Sequence, residues 1–321
     1  MDSEHPNHPA VGASAIAGRI VAVLLCGLLL GFIAAGDWAL AGEATWTVRM
    51  FQKQQQNRFS VESGTLFVDF LEQHAWTIRN IRHRGDEIVG EHGANGSVVN
   101  AKPEADAKSK DPWIGTGHGK EKVQQLTILV DGQERPYQPG GTCSGQVVVM
   151  RKLSNMGPLD HEAEITFPVS GDRIIERHAY KVVEDLGRRF NFVYAFMHCN
   201  NNALDQWLAL AGKDKEMGGR VNQDDGQFSL KQDARVVIFY SAAMRKGVVY
   251  ACPEVYEGEA DFKNAIWDRK GDNKLYFRPA VGKKYGVGDR FEFRLQVVPF
   301  SAEPHDWKDK AKKLAEQGVN P

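Results

Sequence analysis

The segment from Arg173 to Trp207 reads RIIERHAYKVVEDLGRRFNFVYAFMHCNNNALDQW. Its alternation decides the fold. Ile174–Val183 and Phe190–His198 each carry the two-residue period of a β-strand, and the charged run Glu184–Arg189 between them reads as a turn. On the second strand Phe190, Phe192, Tyr194 and Phe196 share one face, and Val193, Ala195 and Met197 the other. A strand apolar on both faces belongs in the middle of a sheet covered on both sides. On the first strand Glu176, His178 and Tyr180 line one face, and Arg177 and Lys181 the other. The two strands are expected to be neighbours. His198 ends the aromatic face beside the polar run that begins at Asn200.

The same pattern recurs outward from this pair. Strands start at Leu66, and Trp76–Gly90 folds back around Arg84-Gly85-Asp86. Leu126–Val130 and Gln133–Tyr137 flank Asp131-Gly132, a hairpin signature. Further strands read at Gln146–Lys152, Glu162–Val169, Val236–Tyr240, Val248–Cys252, Lys274–Phe277 and Arg290–Val298. In the last, Phe291, Phe293, Leu295 and Val297 face inward. Only Glu303–Gln317 shows a plain helical period, with Trp307, Ala311 and Leu314 on one side. The pattern predicts an all-β fold, a large antiparallel β-sandwich (supersandwich) over residues 65–302. A lead-in segment, 42–64, precedes it, and a short C-terminal helix and tail, 303–321, follow it.

Residues 1–41 have the layout of a secretory signal. Ile20 to Ala35 is unbroken apolar sequence after Arg19, and Ala39-Leu40-Ala41 supplies a small-residue cleavage site. The expected location is secreted or periplasmic; uncleaved, the segment would be a membrane anchor, although it is shorter than the roughly 20 residues of a bilayer span. A net charge of −1 gives no electrostatic reason to expect nucleic acid as a partner. Cys143, Cys199 and Cys252 allow either one disulfide with a spare thiol or three buried thiols. Trp113-Ile114-Gly115-Thr116-Gly117-His118-Gly119 is glycine-rich but matches neither the dinucleotide nor the P-loop spacing, so no cofactor is expected. It reads as a loop presenting Trp113 and His118 at a cleft, or as a plain surface loop. No spacing of histidines or cysteines carries a zinc signature. Asn95-Gly96-Ser97 matches a glycosylation acceptor.

Three stretches resemble the galactose mutarotase-like β-supersandwich: the hairpin WTIRNIRHRGDEIVG (76–90), the histidine-ended strand FNFVYAFMHCNN (190–201), and the closing GVGDRFEFRLQVVPF. The resemblance implies a carbohydrate-active or carbohydrate-binding superfamily. In mutarotases a histidine acts as general acid and a glutamate as base; this implies His198, with Glu254 or Glu257, as the matching pair. The His-Tyr-Phe-Asn run of the epimerases is absent after His178 and after His198.

A sugar site needs planar rings for pyranose faces and polar groups for hydroxyls. Trp113, Tyr180, Tyr256 and Trp267 supply rings, and Arg177, Arg278, Asn200 and His118 supply polar groups. His178 and His198 are the candidate catalytic histidines, with Glu254 and Glu257 as carboxylates. For a uronate ligand, Arg177 or Arg278 would take the carboxylate. The function expected is an exported protein that binds or acts on a saccharide in a polar cleft on the central strand pair. The alternatives are a non-catalytic envelope or adhesion domain, and a polysaccharide lyase acting on a uronate polymer.

Overall fold

Backbone alternation in the computed structural model matches the strand grammar of the sequence nearly throughout. The structure describes residues 44–90, 95–100, 113–119, 121–186, 191–211, 215–221, 227–232, 234–252, 264–269, 271–278 and 285–319. The signal expected at 1–41, and Glu254, Tyr256 and Glu257, lie outside the described residues. The described residues belong to one unit, Glu43–Pro321.

The first strands are β1 (Trp46–Lys53), β2 (Gln56–Glu62), β3 (Leu66–Leu71), β4 (Thr77–His83), β5 (Asp86–Val89), β6 (Gly96–Asn100) and β7 (Trp113–Gly115). Next come β8 (Lys122–Val130), β9 (Gln133–Glu134), β10 (Thr142–Gly145), β11 (Val148–Asn155), β12 (Leu159–Phe167) and β13 (Ile174–Val182). They are followed by β14 (Asn191–Asn201), β15 (Gln206–Ala211), β16 (Lys215–Arg220), β17 (Gln227–Gln232) and β18 (Val236–Ser241). The series closes with β19 (Lys246–Ala251), β20 (Asn264–Arg269), β21 (Asp272–Phe277), β22 (Arg290–Ser301) and the helix α1 (Trp307–Val319).

Two antiparallel sheets face each other. One has twelve strands, in the order β10-β1-β2-β3-β4-β5-β14-β21-β20-β17, with β6 and β7 branching from β14. The other has ten, β16-β15-β18-β19-β22-β13-β12-β11-β8-β9. The 42–64 segment read as a lead-in supplies β1 and β2, and β1 is flanked on both sides by β10 and β2.

The pair at Arg173–Trp207 is corrected in one respect. β13 hydrogen-bonds to β12 and β22, whereas β14 hydrogen-bonds to β21, β6 and β5, so the two strands lie in opposite sheets. Their connection is an arch between layers and not a hairpin. Alternation assigned the faces of β13 correctly but not those of β14, where register shifts around Tyr194 turn it outward with Met197 and Cys199 while Ala195 and Phe196 both face the core; nor does alternation say which strand lies alongside. The inward faces of β13 and β14 therefore meet across the core, with the His178 ring edge-on to Phe196 at 4.9 Å.

The interior is apolar over most of its length, from Trp46, Phe59 and Phe70 at one end to Phe239 and Val248 at the other. Asn95 is 1% exposed, donating to the Ile78 carbonyl and accepting from the Cys199 amide at 2.8 Å. A buried, doubly bonded amide is no glycan acceptor, which overturns that motif match. Cys143, Cys199 and Cys252 are all free thiols.

Helix α1 lies on the outer face of the ten-stranded sheet. Trp307, Ala311 and Ala315 bury against Tyr240 and Phe300, and the Trp307 ring stacks on Tyr240 at 4.8 Å and 6°. Truncating a buried tryptophan of this kind costs about 3–5 kcal/mol. Trp307→Ala is therefore expected to lower the urea midpoint and to speed amide exchange across α1. Unchanged exchange in α1 would show that the stack does not hold the helix down.

Candidate functional site

The inward residues of β11, β12 and β13 depart from apolar alternation at one end of the sandwich. In β11 the buried positions run Val148, Met150, Lys152, Ser154; in β12, Leu159, His161, Ala163, Ile165, Phe167; in β13, Ile174, Glu176, His178, Tyr180, Val182. Neighbouring strands bring these polar side chains side by side. Lys152 Nζ, with none of its side chain exposed, donates to Glu121 Oε1 at 2.6 Å. Ser154 Oγ donates to the same oxygen at 2.8 Å and contacts His161 Nδ1 at 3.2 Å. His161 Nε2 meets His178 Nδ1 at 3.1 Å. His178 Nε2 lies 3.8 Å from Glu176 Oε2, and His198 Nε2 of the opposite sheet lies 2.8 Å from Glu176 Oε1. That last contact lacks hydrogen-bond alignment, so it acts as electrostatic proximity. One continuous line of ionisable groups thus crosses from β11 to β14.

Burial and neighbouring charge set the protonation of this line. Burial pushes the Glu121 carboxyl up, but the Lys152 ammonium and the hydrogen bonds from His161 and Lys152 outweigh it and hold it well below the usual carboxylate range. Burial brings His161 down to about 4, against a partial upward pull from Glu121. Burial also lowers His178, opposed by Glu176. Glu176 is raised by burial but lowered further by His198 and His178, to about 2. At neutral pH the line holds two carboxylates, one ammonium, and neutral imidazoles at 161 and 178.

Two clefts open where this line nears the surface. The first, about 580 Å³, is lined by Glu72, His74, Trp76, Thr116, Glu121 and Gln125, among others. The second, about 550 Å³, is lined by Ser154, His161, Arg177, Tyr180, Arg290 and Phe291, among others. Gln124 lines both. It is the extra residue of a β-bulge, since Leu153 pairs with Gln125 and Ser154 with Val123. Bulges commonly re-aim side chains beside sites. The wall of the first cleft is strained: Ala75 and Trp76, both non-glycine, have φ of 54° and 55°. Such left-handed residues cost roughly 1–3 kcal/mol each and cluster at functional sites. Opposite them, Gly115 has φ 134°, and a Cβ there would lie 2.2 Å from the Ser97 carbonyl.

The predicted residues separate into four groups. His178, His198 and Asn200 are 2% exposed or less and line neither cleft. The expected cleft around His178 and His198 is instead packed interior, and Asn200 accepts from Tyr250 there. Arg177 and Tyr180 do line the second cleft. Arg177 is already engaged, donating to Glu292 at 2.7 Å and to Glu162 at 2.8 Å. Tyr180 stacks on His161 at 4.8 Å and on Phe291 at 5.2 Å, with its hydroxyl bonded to Ser97. Trp113 and His118 contact one another edge-on at 4.9 Å but line neither cleft; the glycine loop itself lines the first. Arg278 sits just beyond β21, separated by two strands from β4 and from β7, and lines neither cleft. Sequence reasoning missed Glu121, Lys152, Ser154 and His161. Lys152 and His161 were legible, because Lys152 follows Val148 and Met150 in phase and His161 falls between Leu159 and Ala163. Among the described residues, no group of three or more histidine, cysteine or carboxylate side chains is placed to hold a metal ion.

No family model matches this sequence, and no curated protein matches it. Solved structures do. A putative aldose 1-epimerase from Klebsiella pneumoniae superposes with a TM-score of 0.51 at 11% identity, over 87% of this chain and 90% of that one. The galactosidase domain of an α-galactosidase–sucrose kinase superposes at 0.50 and 9% identity, over 79% of this chain and 42% of that one. A galactose mutarotase-like protein from Clostridium acetobutylicum superposes at 0.46 and 8% identity, over 79% and 98%. The chain spans less than half the length of the galactosidase chain. At these identities the likeness is one of fold alone: a large all-β sandwich like those of the epimerase and the galactosidase domain.

Proposed function

We propose that the chain is an exported saccharide-binding protein that holds its ligand in the paired clefts around Gln124 without turning it over. The observation that supports this reading is the meeting of two clefts at one bulge, with rings and polar groups converging on both. Leu126 and Phe291, both half-buried, offer apolar surface, and the exposed Gln73, Gln124 and Gln125 offer hydroxyl partners, with Trp76, Tyr180 and Thr116 packed behind them. That combination suits sugars, which present an apolar ring face and a rim of hydroxyls.

The electrostatics favour binding over chemistry. A general acid or base works best when it titrates near ambient pH. His161 at about 4 is a feeble base, and Glu121, held ionised by Lys152, has no proton to give. A lyase or epimerase using His178 or His198 would need substrate to reach rings that are 1–2% exposed. Export rests on the sequence pattern of residues 1–41.

A glycan array on the purified chain should return oligosaccharide binding. By titration calorimetry, Gln124→Ala combined with Gln125→Ala should weaken that binding at least tenfold, with no reducing ends and no unsaturated product released by the native protein. An array without hits sinks the reading. Mass analysis of the exported chain should find Gly42 at its N-terminus.

The buried line also makes stability pH-dependent. The unfolded chain protonates His161 near 6.5, the folded chain only near 4. Between those values the unfolded state binds the extra proton, so stability falls as pH drops from about 6.5 to about 4, by roughly 3 kcal/mol for this group. Glu176, lowered from 4.5 to about 2, extends the loss as pH falls further. Melting temperatures across this range should show the slope, and His161→Gln should flatten its upper part.

A further inference from the structure

The outward face of the ten-stranded sheet, beside the second cleft, is laced with opposite charges. Arg151 on β11 reaches Glu164 at 2.6 Å and Glu162 at 3.9 Å, both on β12. Arg177 on β13 holds Glu162 and Glu292, and Arg294 reaches Glu292 at 3.0 Å along β22. Three arginines and three glutamates thus form one balanced lattice across four strands. Every charge in it has an opposite charge beside it.

Two cations at the edge of this lattice stand outside it. Lys181 and Arg290 are direct register partners on β13 and β22, both exposed, and both line the second cleft. Among the described residues, neither side chain has an ion-pair or hydrogen-bond partner. Like charges directly opposite on neighbouring strands repel, so the fold gains nothing from this pair. The carboxylates around them are engaged elsewhere. Asp160, the β12 partner of Lys181, accepts from Asn155 Nδ2 at 3.4 Å, and Asp289 accepts from the Gly286 amide at 2.8 Å. Against two cations the cleft adds only Asp160, so beyond the balanced lattice its wall carries one net positive charge. Between Arg177 and Lys181 the same face of β13 carries only the methyl group of Ala179, which leaves room beside both. An anion placed between Lys181 and Arg290 would relieve their repulsion, the guanidinium taking it through two parallel hydrogen bonds and the ammonium as a point charge.

We propose that the second cleft selects an acidic saccharide, Lys181 and Arg290 together taking one oxyanion carried on the sugar, a uronate carboxylate or a sulfate ester. The proposal rests on the saccharide-binding reading above and adds the ligand class. It also moves the anion-binding role expected of Arg177 to its neighbours, because the Arg177 guanidinium is already taken by two glutamates.

The test is titration calorimetry of the full chain against two matched pairs: oligogalacturonate with its fully methyl-esterified form, and a sulfated galactan oligomer with its unsulfated parent. At least one acidic member should bind tenfold or more tightly than its neutral counterpart, and which one does so identifies the oxyanion. The preference should shrink as salt is raised, since both cations are exposed. Lys181→Gln combined with Arg290→Gln should bring the acidic oligomer down to the affinity of its neutral counterpart. Lys181→Arg combined with Arg290→Lys, which keeps both charges, should retain most of the preference. Lys53→Gln combined with Lys313→Gln removes two exposed cations that line neither cleft, and should change nothing. Equal affinity for acidic and neutral forms in both pairs overturns the proposal, as does a preference that survives the Lys181 and Arg290 double glutamine variant. A preference lost equally with Lys53 and Lys313 overturns it too, since overall charge would then explain the effect. Neutral glycans bound in a Gln124- and Gln125-dependent way, with no acid preference, remove this proposal alone. An acid preference that needs Lys181 and Arg290 but is untouched by the Gln124 and Gln125 variants removes the amide contacts of the earlier reading and keeps this one.

Discussion

A fully buried lysine can be tolerated only if its charge is met, because an ammonium taken out of water without a partner costs several kcal/mol. Lys152 meets Glu121, and every other polar group at this end of the sandwich follows from that pairing. Glu121 needs further donors, which Ser154 and His161 supply. His161 passes the requirement to His178, and Glu176 ties the line to His198 of the other sheet. Loss of any member leaves its neighbour buried and unpaired, a larger penalty than the bond itself is worth. The line is therefore cooperative. It also fixes how the two sheets are placed against each other, a specificity that apolar contact alone would leave looser.

The same pairing shapes what the surface can do. Charges consumed by one another inside the protein are poorly suited to act on a substrate, so the clefts above them have a rigid, ionised floor. In the saccharide-binding proposal, contact with the sugar ring and its hydroxyls falls to neutral groups at the rim: the exposed amides of Gln124 and Gln125 on a bulged strand and the half-buried Phe291 ring. Two residues forced into left-handed backbone keep Trp76 against Phe59 and Tyr137 at 5.6 and 5.4 Å, so one wall is set before any ligand arrives.

The fold class was readable because alternation is a local property. Each of Glu176, His178 and Tyr180 was assigned to its correct face, and the closing strand and the terminal helix fell where their periods put them. Strand pairing is not local. The charged connection at 184–189 looks the same in sequence whether it turns back within a sheet or arches to the next, so His198 was placed beside His178 when it lies across from it. β1 and β2 were passed over because Gln52, Lys53, Gln54, Gln55 and Gln56 blur the period around their turn. His161 was not singled out in the sequence; its significance depends on Lys152 and Glu121, which reach it only through the register of three strands. Arg278 was named from the sequence, but that its Nε is buried without a hydrogen-bond partner among the described residues is visible only in three dimensions.

The position of β22 bears on how the chain comes to be folded at all. Among the described strands it is the last in chain order, yet it lies between β13 and β19 in the interior of the ten-stranded sheet. Until Arg290–Ser301 has been synthesised, the ten-stranded sheet exists as two halves, each with an open apolar edge. The ten-stranded sheet therefore closes only after all its other strands have been made, through contacts between segments far apart in sequence, which makes closure slow. A sheet that stays open until β22 is made remains threadable for that whole interval, and during it its exposed edges depend on whatever else in the cell will cover them.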